Sequence, residues 1–248
     1  MKIAVCVSHV PDTAAKIMVG ADGKKIDSNG VAFVLNPYDE YAIEEALKLK
    51  EKTGGEVIAI SVGGEANKES IRKALAMGID SAVLLREDDD RDSSGIATAL
   101  ADEIKAQEIE LVFFGKQSVD FDNSITGQLT AEILGYNCVS VAVAFSLEGN
   151  EITAEREIEG GREVIKTSLP AVITAQKGLN EPRYASLKGI MSAKKKVIEE
   201  KTAAPYIKNV ELISMKKPAS KQAGRILGSD ASAVPELVNL LRTEAKVI

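Results

Sequence analysis

Short apolar runs alternate with amphipathic helical segments along the first half of the chain, and this alternation restricts the fold more than any other feature. The apolar runs lie at residues 3–7, 31–35, 57–62, 82–85 and 111–114. Helical patterns lie between them at residues 39–50, 71–77 and 96–104. Because the runs are mostly apolar throughout rather than at every second position, each is predicted to be a strand buried on both faces. Repeated βα units of this kind predict a doubly wound α/β fold with a mostly parallel sheet.

The second half of the chain has a different pattern. Four strand-like runs, joined in part by glycine-containing turns, predict an antiparallel β extension at residues 139–147, 151–158, 163–168 and 171–175. Residues 179–191 lack a clear period, and a helical pattern resumes at residues 232–246. We therefore interpret residues 1–198 as one domain and residues 199–248 as a C-terminal arm that packs on another chain, with a floppy tail as the alternative.

Residues 113–128 read as a buried strand that runs into a polar loop and then a helix. This order places unpaired backbone N–H groups and the positive end of a helix dipole where an anion can bind. Asn123, Ser124 and Thr126 add side-chain donors, and Gly115 and Gly127 permit close approach of the backbone. The segment is neither a Walker loop nor a GxGxxG motif, so it predicts a phosphate site only in outline, with an ordinary surface loop as the alternative.

In parallel sheets, ligands bind outside the carboxyl ends of the strands. The segments predicted to converge there are residues 7–9, 36–39, 62–64 and 115–126. The acidic stretch at residues 86–92 follows another strand and is predicted to be a solvated loop. The sequence therefore predicts a doubly wound, Rossmann-like domain with a candidate phosphate or nucleotide site at one edge of its sheet.

Composition and motifs exclude several functional classes. A formal net charge of −6 argues against general nucleic-acid binding, and no apolar run approaches the roughly 20 residues of a membrane helix. The N-terminus lacks the pattern of a signal peptide, so the cytoplasm is the expected compartment. Two cysteines and one histidine cannot form a Cys/His metal cluster. His9 follows the first strand without a nucleophile motif, which favours a protein that holds a ligand over a hydrolase.

Residues 154–174 resemble the signature of the electron transfer flavoprotein beta subunit. The residues that fall on that pattern are Arg156, Glu159, Gly160, Gly161, Glu163, Ile165, Pro170, Val172, Ile173 and Thr174. Three further stretches agree with the same family, at residues 35–40, 115–128 and 179–187. The agreement spans nearly the whole chain and weakens after about Lys201.

The resemblance implies a subunit of a heterodimer that carries electrons without catalytic residues of its own. Its larger alpha subunit would hold most of the redox FAD, while the beta subunit binds AMP. The AMP contacts implied by position are Cys6, Asn36, Pro37, Tyr38, Asp39, Val62, Gly115, Lys116, Gln117, Ser118, Val119, Asp120, Phe121, Asp122, Asn123, Ser124, Ile125 and Thr126. Thr13 and Tyr38 fall on the flavin-side positions. An aromatic residue often occupies the first of these, so Thr13 departs from the family pattern.

The same resemblance implies partners beyond the alpha subunit. Leu187 matches a leucine that anchors partner dehydrogenases, such as acyl-CoA dehydrogenases, and the neighbouring Tyr184, Ile190 and Met191 belong to the same recognition segment, at about residues 179–196. A downstream acceptor such as a quinone oxidoreductase would receive the electrons. An exposed leucine that fills a pocket is typical of an interface hot spot.

Two other functions remain open. In electron-bifurcating members of the family a second FAD, reduced by NADH, replaces AMP, but residues 123–128 are more similar to the AMP-binding form. A free-standing sensor of adenine nucleotides is the alternative from another class. Analysis of bound nucleotides and of co-purifying subunits distinguishes these functions.

Overall fold

The computed structural model describes residues 1–87, 91–220 and 223–248. A nine-stranded sheet forms the centre of the fold, with its elements numbered along the chain. Across the sheet the strands are β11 (Ile198–Thr202), β5 (Ser81–Arg86), β4 (Glu56–Gly63), β1 (Lys2–Cys6), β6 (Leu111–Gly115), β10 (Ala171–Ala175), β7 (Asn137–Glu148), β8 (Glu151–Ile158) and β9 (Gly161–Ser168). The strands from β11 to β7 in this order are parallel, and β8 and β9 continue the sheet antiparallel. The predicted mostly parallel sheet with an antiparallel extension is therefore confirmed.

Helices cover both faces of the sheet. The helices that do so are α1 (Pro37–Thr53), α2 (Asn67–Met77), α3 (Ser93–Ala106), α4 (Thr126–Leu134) and α5 (Leu187–Lys195). A further helix, α6 (Val234–Thr243), follows a short 3₁₀ turn (Ala231–Ala233) and has no buried residue. Ile3 and Val5 of β1 pack in one core with α1, α2 and α5. Ala4 and Cys6 point to the opposite face and pack in a second core with α3 and α4. The alternation of side chains along a strand thus divides the apolar residues into two cores, and the fold is doubly wound as predicted.

The apolar run at residues 31–35 is not a strand of the main sheet, which corrects the prediction. Its strand, β3 (Phe33–Leu35), pairs antiparallel with β2 (His9–Pro11) in a separate two-stranded ribbon. The run is too short to cross the sheet, because Asn36 and Pro37 end it at the start of α1. Phe33 and Val34 are also only half-buried, as suits a ribbon at the rim of the domain.

The run at residues 171–175 was predicted to belong to the antiparallel extension, and this is wrong. β10 inserts between β6 and β7 and is parallel to both. All of its residues are buried, whereas most residues of β9 are exposed. A strand that is buried on both faces belongs in the parallel core, and its short apolar sequence has the same character as those of β1 and β6.

The C-terminal region also has more regular structure than its composition indicates. α5 forms from residues that lack an obvious period, with Ser186 as its N-cap accepting a hydrogen bond from the Gly189 N–H. β11 pairs with β5, so the predicted domain boundary at residue 199 falls inside a strand. The predicted helix near the C-terminus is present as α6. Among the described residues, no helix has the length and apolar character needed to cross a bilayer.

Candidate functional site

A cleft with a volume of about 370 Å³ opens at the carboxyl ends of β1, β4 and β6. Its size is at the lower end of the range of small-molecule sites, which is about 300–1,000 Å³. Apolar side chains line its inner part, including Ile60, Val62, Leu100 and Phe114, while the residues that follow β6 supply polar groups. The cleft therefore combines an apolar floor with a polar rim, as a ligand with a flat ring and an anionic group requires.

The N-termini of three helices border this cleft. Asn67 at the start of α2, Ser93 at the start of α3 and Thr126 at the start of α4 are all among its lining residues. Within the described residues, the N-cap residues of α2 and α4, Ala66 and Ile125, make no side-chain capping hydrogen bond. The first N–H groups of α2 donate to the backbone oxygens of residues 64–66, and Asp92 caps α3, so the first turn of α4 and the helix dipoles are what favour an anion here.

Asn36 holds the loop that follows β6. Its side chain is fully buried, its amide nitrogen donates to the backbone oxygen of Gln117 at 2.9 Å, and its amide oxygen accepts from the Val119 N–H at 3.3 Å. The same nitrogen donates to Asp39 Oδ1 at 2.8 Å. These bonds fix residues 117–119 against the start of α1, so Asn36 supports the cleft from behind its surface.

Asp39 joins three elements at the cleft wall. The backbone N–H groups of Ser8 and Gly115 donate to its carboxylate at 2.7 and 3.2 Å, in addition to the Asn36 amide. Burial raises the pKa of Asp39 to about 7, although these hydrogen bonds act in the opposite direction. Burial, with a smaller effect of the Asp39 charge, also raises the pKa of the Cys6 thiol. Cys6 is therefore an unreactive wall residue rather than a nucleophile.

Two glycines of the loop are required for packing within the protein itself. A Cβ atom at Gly115 would lie 2.4 Å from Asp39 Oδ1, and one at Gly127 would lie 2.7 Å from Thr174 Cγ2. The sequence interpretation assigned both glycines to close approach by a phosphate. The structure shows a packing reason for both, because they allow the loop and α4 to approach α1 and β10, and both also line the cleft.

The rest of the loop is held by its own polar side chains. Gln117 donates to Asp122 and accepts from the Ser124 hydroxyl, and the Asn123 amide donates to Ser93 Oγ at 2.7 Å. Asp122 and Ser124 have φ values of 55° and 52°. Left-handed backbone at residues other than glycine is uncommon, and here the hydrogen bonds on either side maintain it.

Comparison with known proteins identifies the family. The model of the electron transfer flavoprotein domain matches residues 24–206. The chain is 42% identical to the electron transfer flavoprotein subunit beta of Bacillus subtilis over an alignment of 262 positions, which covers all of both chains. The chain belongs to the electron transfer flavoprotein beta subunit family. The Bradyrhizobium diazoefficiens relative is 39% identical over the full length of both chains, and the human relative is 40% identical over 90% of this chain and 91% of its own.

The electron transfer flavoprotein resemblance implied a set of AMP contacts, and the structure brings most of them together. Those that line the cleft are Cys6, Asp39, Val62, Gly115, Lys116, Gln117, Ser118, Asp120, Phe121, Asn123, Ile125 and Thr126. Over the part of the chain that the structure describes, four other implied contacts are next to lining residues in the sequence without lining the cleft: Tyr38, Val119, Asp122 and Ser124. Asn36 and Pro37 lie further from the lining residues in the sequence, before Tyr38.

The two residues for which the resemblance implied a place near the flavin, Tyr38 and Thr13, differ in environment. Tyr38 is half-buried, and Lys116 Nζ lies 5.0 Å from the centre of its ring. Thr13 is exposed in the segment between β2 and β3. Tyr38 therefore lies on an element that also bounds the cleft, whereas Thr13 belongs to a peripheral segment.

Sequence reasoning missed Arg91 as a cleft residue. The stretch at residues 86–92 was predicted to be a solvated loop, and residues 88–90 lie outside the described residues. The Arg91 side chain, however, is only 4% exposed, pairs with Glu87 at 2.5 Å and lines the cleft. An arginine placed directly before the N-cap of a helix in an otherwise acidic stretch was the available signal.

His9 also lines the cleft, but its contacts are structural. Its Nδ1 lies 2.8 Å from Ser70 Oγ, and its ring stacks on Phe33 with centres 5.2 Å apart. Burial lowers the pKa of His9, so the imidazole is neutral at pH 7. These contacts fasten the β2–β3 ribbon to α2.

The predicted partner residues form an exposed surface at the start of α5. Tyr184 is 99% exposed, Leu187 82%, Met191 67% and Ile190 41%. We call these four residues the α5 patch. Gly189 lies so close to α2 that a Cβ atom would be 2.3 Å from the Ala76 oxygen. The patch is therefore exposed while the helix beneath it is packed tightly on the domain.

Proposed function

We propose that this chain is the beta half of a heterodimeric electron carrier and that its cleft binds AMP. The convergence of the helix N-termini on a cleft with an apolar floor carries the proposal. The adenine ring would lie against Val62, Leu100 and Phe114, and the phosphate would accept hydrogen bonds from the loop after β6 and the first turn of α4. A cleft volume near the lower end of the usual range favours a mononucleotide over a dinucleotide.

In this proposal an alpha subunit holds most of the FAD, which supplies the redox chemistry when it is bound. The residues of this chain that would contribute to its surroundings are Tyr38 and Thr13. A half-buried aromatic ring at the start of α1 is suited to cover a flat cofactor and to exclude water from it. The chain would thus position and shield the flavin without a catalytic group of its own.

The α5 patch would bind the electron-donating dehydrogenase, such as an acyl-CoA dehydrogenase, and a quinone oxidoreductase would be a downstream acceptor. Exposed apolar side chains on a rigidly packed helix are a suitable anchor, because little conformational entropy is lost when they are buried. This arrangement leaves the rest of the complex free to bring the flavin close to its donor.

Nucleotide analysis of the purified heterodimer tests the proposal. The chain is co-expressed with an alpha subunit of its own family, the complex is purified, and the bound nucleotides are released by heat and separated by chromatography. One FAD and one AMP per heterodimer is the expected result. Two FAD molecules and no AMP would identify a bifurcating member instead.

Subunit association provides a second, independent result. If the chain binds AMP but remains a monomer in the presence of the alpha subunit, it acts as a nucleotide-binding sensor and the electron-carrier function is wrong. If the heterodimer forms but contains neither AMP nor a second flavin, the cleft assignment is wrong while the family role stands.

A further inference from the structure

The start of α3 makes contacts with two regions that are distant in sequence. On one side it borders the cleft through Arg91, Ser93 and Ile96. On the other side it binds residues 203–210, which we call the arm root because they connect β11 to the rest of the C-terminal region. The contacts on both sides use neighbouring residues, 91–96, at the N-terminal end of α3.

Arg91 makes the first connection to the arm root. Its guanidinium donates to the backbone oxygen of Ala204 at 2.7 Å and to that of Gly95 at 3.2 Å. The same group lies 4.4 Å from the centre of the Tyr206 ring. A cation over an aromatic face is attracted by the ring electrons, and more strongly when it is desolvated, so the Tyr206 ring is a substantial part of the environment of Arg91.

Gly95 provides the space that Tyr206 occupies. A Cβ atom at Gly95 would lie 2.4 Å from both Cδ2 and Cε2 of the Tyr206 ring. Such a contact is far below van der Waals distance, so any larger residue at this position must displace the ring. Tyr206, and with it the arm root, can therefore pack against α3 in this position only because residue 95 is a glycine.

Asp92 makes the second connection. Its Oδ2 accepts hydrogen bonds from the backbone N–H groups of Asn209 and Val210 at 2.9 and 3.0 Å. Its Oδ1 caps α3 by accepting from the Gly95 N–H at 2.8 Å. Although burial acts to raise it, these and the Ser94 hydrogen bond lower the pKa of Asp92 to about 2, so the carboxylate is charged at neutral pH.

The cleft loop is bound to the same turn. The Asn123 side chain donates to Ser93 Oγ at 2.7 Å, and Ser93 follows Asp92 directly. A shift of this turn would therefore move Arg91 and Ser93, both of which line the cleft, together with the residues that bind the arm root.

We propose that the arm root completes the nucleotide cleft through α3, so that Arg91 and Ser93 reach their binding positions only while Tyr206 and the 209–210 backbone are seated. This inference rests on the proposed function, because it takes AMP as the ligand of the cleft. Arg91 is a binding residue in this scheme, and Gly95, Tyr206 and Asp92 are positioning residues. By thermodynamic linkage, AMP bound in the cleft must stabilise the packed arm root by the same free energy by which the packed arm root stabilises AMP binding.

Titration of AMP into the nucleotide-free heterodimer tests the proposal. Tyr206→Ala removes the ring from Arg91, and Gly95→Ala displaces the ring while leaving Tyr206 itself intact. Neither residue lines the described cleft, yet each substitution is expected to raise the Kd of AMP by about 5–30-fold, as is typical of coupled sites. Lys208→Ala is the matched control in the same exposed segment and should leave the Kd unchanged.

Hydrogen exchange of the unaltered heterodimer tests the reciprocal effect and does not depend on any variant folding. The backbone N–H groups of Asn209 and Val210, which donate to Asp92, should exchange more slowly when AMP is bound. The coupling is wrong if Gly95→Ala, Tyr206→Ala and Lys208→Ala have equal Kd values for AMP, or if the N–H groups of residues 209–210 exchange at the same rate with and without AMP. Either result leaves AMP binding itself in place. Absence of AMP binding by the unaltered heterodimer would instead refute the proposed function.

Discussion

Arg183 is the group that fastens the segment before α5 to α1, and its removal allows a quantitative prediction. Its Nε and one terminal nitrogen donate to the two carboxylate oxygens of Glu44 at 2.8 and 3.0 Å, and the other terminal nitrogen donates to Glu51 at 2.6 Å. The Glu44 side chain is only 5% exposed, whereas those of Arg183 and Glu51 are 34% and 59% exposed. Arg183→Met would therefore leave a buried carboxylate without its counter-ion.

The expected loss follows from these exposures. Breaking a fully buried ion pair costs about 3–5 kcal/mol. Because Arg183 is partly exposed, we expect the loss of its pair with Glu44 to cost an amount at or below the lower end of that range. The exposed Glu51 pair adds about 0–1 kcal/mol. For Arg183→Met we expect a total loss of about 3 kcal/mol, which in a chain of this size lowers Tm by about 6–12 °C.

Thermal unfolding of the purified heterodimer measures the effect, with Arg162→Met as the matched control. Arg162 pairs with Glu155 at 3.2 Å, but the two side chains are 59% and 38% exposed, so its loss should cost less than about 1 kcal/mol. Adding Glu44→Gln to Arg183→Met should recover part of the loss, because a neutral amide costs less to bury than a charge. Equal Tm shifts for the two arginine variants, or no recovery in the double variant, would refute the argument.

Three further predictions concern the α5 patch, the packing of Gly127 beside the cleft, and the pH dependence of stability that Asp39 causes. In the proposed function the exposed side chain of Leu187 anchors the dehydrogenase, so Leu187→Ala should slow electron transfer from an acyl-CoA dehydrogenase by about tenfold while FAD and AMP content stay unchanged. Unaltered kinetics would contradict this. Gly127→Ala should cost about 1–3 kcal/mol in thermal unfolding through its contact with the Thr174 methyl group, and Thr174→Ser should restore part of it. Because the pKa of Asp39 is raised to about 7 in the folded chain from about 3.8 unfolded, the unfolded state loses its proton first as pH rises. The stability that Asp39 contributes should therefore fall between about pH 4 and pH 7, and the Tm difference between wild type and Asp39→Asn should shrink over that window; a constant difference would show that the carboxyl does not titrate there.

The parallel core was predictable because its strands are buried on both faces. Continuous apolar runs identified β1, β4, β5 and β6, and the same property should have placed β10 with them. β10 was misassigned because it follows three strands joined by glycine-containing turns, at residues 148–150 and 159–161, which made it look like one more hairpin strand, although residues 169–170 that connect it to β9 contain no glycine. Local turn signals do not reveal which neighbours a strand will have, since pairing is decided by burial across the whole sheet.

The site was predictable where its groups come from strand ends and unpredictable where they come from tertiary contacts. The loop at residues 115–126 follows a strand and precedes a helix, so its position at the sheet edge could be inferred from order alone. Arg91 lies in an acidic stretch, and only its contacts with Gly95 and Ala204 explain its burial. α5 was missed although Leu187, Ile190 and Met191 lie at helical spacing, because the helix is short and only Ala193 of its residues is buried, so its apolar side chains do not mark a core-facing stripe.

The place of β10 in the sheet has a consequence for biosynthesis. It is made after β6 and β7 and then fills the gap between them, where the Lys116 N–H donates to the Ala175 oxygen at 2.8 Å and the Val141 N–H donates to Thr174 Oγ1 at 2.8 Å. Until the ribosome has released residues 171–175, both neighbouring strands have open edges that other polypeptides can join. A nascent chain of this protein should therefore depend most on chaperones just before its tenth strand emerges.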